Sequence, residues 1–176
     1  EQNVLGKAPI HIACQQNNVD LVKLLLDRNC KVDVKNRYND TPIHIACWNR
    51  NKEIIKLLLD KNCRVDVQNK WGDAPIHIAC KNGYIEIVKL LLERNCIFES
   101  QNNDNKTPLE LVKLETHFII AEMLLKKNIF LKITNEQMAY LTIFSPNTIV
   151  YLELQKLSFL DKSQLSRNIQ DLALKW

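Results

Sequence analysis

The chain has 176 residues, 46% of them apolar and 25% charged, with a formal net charge of +4, a balance that fits a globular protein able to bury a core. No dense Lys/Arg block occurs, which argues against nucleic acid as a partner, and no apolar stretch approaches the roughly 20 residues of a membrane span. Three glycines are too few for phosphate-binding loops, and the abundant asparagines are expected to replace glycine where the backbone turns left-handed.

In chain order, "APIHIAC" at 8–14 returns as "TPIHIAC" at 41–47 and as "APIHIAC" at 74–80, a step of 33 residues. His11, His44 and His77 keep that step, as do Cys14, Cys47 and Cys80, and Cys30, Cys63 and Cys96. "VKLLLDRNC", "IKLLLDKNC" and "VKLLLERNC" close the three units in phase. A looser fourth unit opens with "TPLELV" at 107–112 and closes with "AEMLLKKN" at 121–128.

Each unit reads as helix, tight bend, helix and extended loop. Pro9, Pro42, Pro75 and Pro108 suit the first helical position, where a missing N–H costs nothing. Thr41 and Thr107 can cap their helices, whereas Ala8 and Ala74 offer no hydroxyl. The second helix of the first unit is predicted to bury a stripe of Val19, Val22, Leu25 and Leu26. Asn29, Asn62 and Asn95 fit left-handed C-caps. One helix pair cannot bury such a stripe alone, so neighbours must stack on it. The predicted organisation is an array over 1–130, with units at about 1–33, 34–66, 67–99 and 100–130, followed by a C-terminal helical segment over 131–176 that acts as a cap or small helical module.

The period and the phrase "TPIHIAC" resemble the ankyrin repeat, whose usual opening is Thr-Pro-Leu-His-x-Ala. The resemblance covers about residues 1–130 and implies an all-α solenoid of antiparallel helix pairs with hairpin fingers on one side. The usual finger glycine is kept as Gly6 and Gly72 and replaced by Asn39 and Asn105, and the glycine between helices survives as Gly83.

Histidine and cysteine in every unit raise the question of a metal site. Ligands must converge on one ion, whereas residues one unit apart in a solenoid form parallel ladders on the order of 10 Å apart. No metal and no cofactor are therefore expected. The resemblance implies instead that His11, His44 and His77 hydrogen-bond within and between units. The cysteines suit small apolar slots in a reducing compartment, cytoplasm or nucleus. No nucleophile–base pair or paired carboxylates stand out, so no catalytic residue is assigned and the chain reads as a non-enzyme.

Ankyrin arrays bind proteins through their finger tips and first helices, the concave face. By register, the resemblance places there Arg37, Tyr38 and Asp40; Lys70, Trp71 and Asp73; Trp48 and Asn49; and Lys81 and Asn82. Val4, Leu5 and Lys7, Gln15 and Gln16, Asn103, Asp104 and Lys106, and Leu114 and Glu115 hold the matching positions in the outer units. Tyr38, Trp48 and Trp71 are the anchor types most common at interfaces, and Arg37, Lys70 and Lys81 favour a partially acidic protein. Trp71 packing on Tyr38 across neighbouring fingers is the alternative use of those rings.

The first unit carries internal-type helices with no polar capping face, which leads to the expectation that further repeats precede Glu1 or that this edge meets something else. In the fourth unit Glu110 and Lys113 replace the histidine and cysteine. The tail carries a limited likeness to the F-box in Pro146, Ile149, "LSFLDKSQL" at 157–165 and Trp176. That likeness implies a ubiquitin-ligase adaptor, with Leu157, Leu160 and Leu165 open to a Skp1-type partner. A further alternative is a regulatory ankyrin segment of a larger enzyme or channel.

Overall fold

A computed structural model of the protein describes residues 3–112 together with 119–121, 123, 124 and 127. The chain divides after Lys113, and the first unit, Glu1–Lys113, holds three helix pairs. These are α1 (Pro9–Gln15) with α2 (Val19–Asp27), α3 (Pro42–Trp48) with α4 (Lys52–Asp60), and α5 (Pro75–Lys81) with α6 (Ile85–Glu93). No strand occurs among the described residues, and no described helix is long and apolar enough to cross a membrane.

The helix boundaries follow from backbone chemistry. Each first helix starts at its proline, after an extended residue with φ near −80° to −90° and ψ near 160° to 166°. It stops where the next turn demands a left-handed residue: Asn17 (φ 53°), Arg50 (φ 54°) and Gly83 (φ 71°). The side chains of Asn18 and Asn51 then accept the backbone N–H of Leu21 and Ile54 and cap α2 and α4. Tyr84 opens α6 without such a cap. Asn29, Asn62 and Asn95 end the second helices at φ 54°, 54° and 53°, the left-handed positions read from the sequence.

Packing depends on place in the stack. Ile54, Ile55, Leu58 and Leu59 of α4 and Ile87, Val88, Leu91 and Leu92 of α6 are buried. In α2 only Val22 and Leu26 are; Val19, Leu21 and Leu25 are half-buried and Leu24 is exposed. The same stripe is sealed where a preceding helix pair lies against it and partly open where none does. Ala13, Ala46 and Ala79, with Cys14, Cys47 and Cys80, fill fully buried slots too narrow for larger side chains.

The fourth unit departs from the helix-pair pattern. In place of a seven-residue first helix it forms a single 3-10 turn, Leu109–Leu111, which ends at Val112 in extended conformation (φ −69°, ψ 125°). One described substitution bears on this. Val112 stands at the position of the buried Ala13, Ala46 and Ala79, in slots too narrow for a larger side chain. Taken by itself, the second unit is helical at 119–121, 123, 124 and 127. Leu114, Glu115, Leu157, Leu160 and Leu165, and the segment 131–176, lie outside the described residues.

Candidate protein-binding surface

Each finger is organised by one asparagine. The Asn36 side-chain oxygen accepts the backbone N–H of Tyr38 (2.8 Å) and of Asp40 (3.0 Å). Asn69 does the same for Trp71 and Asp73, and Asn102 for Asp104 and Lys106. The turn closes through a left-handed residue: Asn39 (φ 58°), Gly72 (φ 76°) or Asn105 (φ 55°). Neighbouring fingers are then laced together by backbone bonds, Arg37 N–H to the Leu5 carbonyl (3.1 Å), Lys70 N–H to Tyr38 (2.8 Å) and Asn103 N–H to Trp71 (3.0 Å). These asparagines position the tips, and sequence reasoning missed them. Their own step of 33 residues, Asn3, Asn36, Asn69 and Asn102, was the available signal.

The histidines fix the bases of the fingers. Backbone N–H groups of Ala8, Thr41 and Ala74 donate to Nδ1 of His11 (3.0 Å), His44 (3.1 Å) and His77 (3.2 Å). With Nδ1 accepting, Nε2–H must donate, and it points at the carbonyls of Asp40 (3.1 Å), Asp73 (3.1 Å) and Ser100 (2.9 Å) in the following finger. All three rings are buried, and desolvation holds them below the ordinary histidine range against the pull of Asp40 and Asp73. They are neutral bridges between units.

On this frame Tyr38, Trp48 and Trp71 are 40%, 43% and 48% exposed. Tyr38 and Trp71 stack across adjacent fingers, with ring centroids 5.9 Å apart and planes 18° apart, and the Lys70 ammonium lies 5.7 Å from the Tyr38 centroid. Arg37, Lys70 and Lys81 are exposed. The packing of Trp71 on Tyr38 and their exposure therefore coexist.

Asp40 and Asp73 require correction as tip contacts. They are only 7% exposed, and their carboxylates accept the Asn69 amide (2.9 Å) and the Asn102 amide (2.8 Å) of the next finger. A carboxylate beneath the tip serves the lateral ladder and is not presented to solvent. Asn49 and Asn82 are half-buried, with their amide nitrogens engaged: Asn49 donates to the Cys14 and Gln15 carbonyls at the end of α1, and Asn82 to Ile78.

Among the described residues no three His, Cys, Asp or Glu side chains converge as metal ligands. Of the six cysteines all but Cys30 are buried, and burial pushes Cys14 and Cys63 up to about 12. A thiol in that state is an apolar filler and a poor nucleophile.

No curated protein was found to match the chain. The family model for ankyrin repeats (3 copies) matches residues 1–69 and 61–135, more than half of the sequence. Helix pairs at a 33-residue step, asparagine-built fingers and histidine bridges agree with that match, and the chain belongs to the ankyrin-repeat family.

Proposed function

We infer that this chain has the general role of ankyrin repeats, a protein-interaction module typically without enzymatic activity. We propose that this array binds one protein partner through its finger tips and first helices, with Tyr38, Trp48 and Trp71 as anchors and Arg37, Lys70 and Lys81 around them. The observation that carries this reading is the exposure of three large aromatic side chains on one run of neighbouring units. Rings of this size lose most by staying in water and gain most from a partner that covers them. The Tyr38–Trp71 stack and the finger ladder hold two of the three in place, so little side-chain freedom remains to be lost on binding.

The test is affinity capture from cell lysate with the intact chain, the Tyr38→Ala/Trp48→Ala/Trp71→Ala variant, and a chain ending at Asn128. A protein retained by the intact chain and lost with the three aromatics supports the reading. One retained by the alanine variant and lost on truncation places recruitment in the tail, as a ligase adaptor would require.

A further inference from the structure

Charged groups in the described repeats sort by face. The second helices and their ends carry both signs: Lys23 pairs with Glu53 (3.0 Å), Lys52 with Glu86 (2.6 Å) and Arg94 with Asp60 (2.9 Å), and Lys56 and Lys89, in no such pair, belong to a set of helices that also bears the exposed acids Asp20, Asp27 and Glu93. Along the fingers and first helices Arg37, Lys70, Lys81 and Lys106 are exposed, and among the described residues none of them has a carboxylate within ion-pair reach. Asp40 and Asp73, which the sequence offered as acids at the tips, are turned inward onto Asn69 and Asn102. Asp104 is the exposed carboxylate that remains at a described tip.

The unmatched cations and the rings also keep register. Arg37 and Lys70 hold the same position in successive fingers, Tyr38 and Trp71 the next position, and Trp48 and Lys81 the same position in successive first helices. Adjacent fingers are fixed to each other by the Lys70 N–H bond to the Tyr38 carbonyl, at a step on the order of 10 Å. A polyproline-II-like chain has three residues per turn and rises about 3.1 Å per residue, so side chains three apart recur on one side at about 9 Å. That spacing matches the finger step.

Resting on the binding reading above, we propose that the partner presents an extended acidic segment to this face. Two carboxylates three residues apart meet Arg37 and Lys70, and an aromatic or large aliphatic side chain between them covers the Tyr38–Trp71 stack. Single-stranded nucleic acid fits less well. Base stacking needs open ring faces, and Tyr38 already has Trp71 against it and the Lys70 ammonium close by.

A displayed random-peptide library selected on the intact chain tests this without knowledge of the partner. The expected winners are net negative, carry acid-x-x-acid with an aromatic or aliphatic residue inside, and bind on the order of tenfold more weakly to Arg37→Glu/Lys70→Glu. Their binding also weakens as salt rises. The Arg37→Gln/Lys70→Gln variant, with an unchanged melting curve, separates loss of charge from loss of fold. Neutral or basic winners that depend on Tyr38 and Trp71 would overturn the acidic segment and leave the binding surface standing. An empty selection, or oligothymidylate binding as tight as that of the best peptide, would also overturn it.

Discussion

Asn69 does three things at once: it turns its own finger, aims Trp71 and donates a hydrogen bond to a neighbour's buried carboxylate. Asn69→Ala takes from Asp40 its shorter amide bond (2.9 Å) and leaves it the longer one from Asn36 (3.5 Å), and the expected loss is about 2–3 kcal/mol, read as a lower urea midpoint. Asn3→Ala, in a solvent-exposed finger, is expected to cost less than half of that. Gly72 shows the other constraint on a finger. A Cβ there would stand 2.6 Å from the Asn103 backbone nitrogen, in a backbone already at φ +76°. Gly72→Ala is expected to destabilise the array by about 2 kcal/mol or more, whereas Asn39→Gly, at a position with φ 58°, moves the midpoint by only a few tenths. The histidines give the array an acid limit. Burial disfavours the charged ring in the folded chain, so the unfolded chain takes up protons first. Their contribution is complete above about pH 6.5 and is lost as pH falls through the lowered folded values. With three such rings the slope can reach about 4 kcal/mol per pH unit, which chemical denaturation across that window would show.

Between helices, the repeats reveal which letters the fold requires. Thr41 at the start of α3 adds a hydroxyl that reaches His44 Nδ1 at 2.8 Å, a contact Ala8 and Ala74 lack. Ala74→Thr is therefore expected to raise stability by up to about 1 kcal/mol, and an unchanged or lower urea midpoint would sink that account. In the fourth unit Thr107 and Glu110 form a reciprocal cap, with Thr107 N–H donating to the Glu110 carboxylate at 2.7 Å and Glu110 N–H reaching the Thr107 hydroxyl at 3.4 Å. Glu110 thus keeps the local half of the histidine's role and offers no N–H to a following finger. The starts of the first helices and the left-handed ends of the second were legible, because each depends on neighbours three or four residues away and the same solution is written three times; of the predicted stripe in α2, Val22 and Leu26 are buried, whereas Val19 and Leu25 are half-buried. The extended backbone at Val112 was harder to see, since it depends on the size of a slot that only packing defines. Asp40 and Asp73 misled for a related reason: register gives the position in a finger, and only the adjacent finger decides which way the carboxylate turns.

At the scale of the whole array, repetition makes both core and surface. Five of the six thiols are buried between units, so a thiol reagent is expected to label Cys30 first and the others only under denaturant; rapid native labelling of Cys47 or Cys80 would contradict the packing described. Ladders of histidine, asparagine and backbone bonds join each finger to the next, leaving the tips rigid enough to present rings to a partner. The claim that this face does the binding has a direct readout, because the chain contains three tryptophans and two of them, Trp48 and Trp71, stand on it. Titrating a captured partner into labelled protein and following the indole N–H resonances should shift or broaden those of Trp48 and Trp71. A partner that binds while both resonances stay unmoved would contradict the assignment of this face.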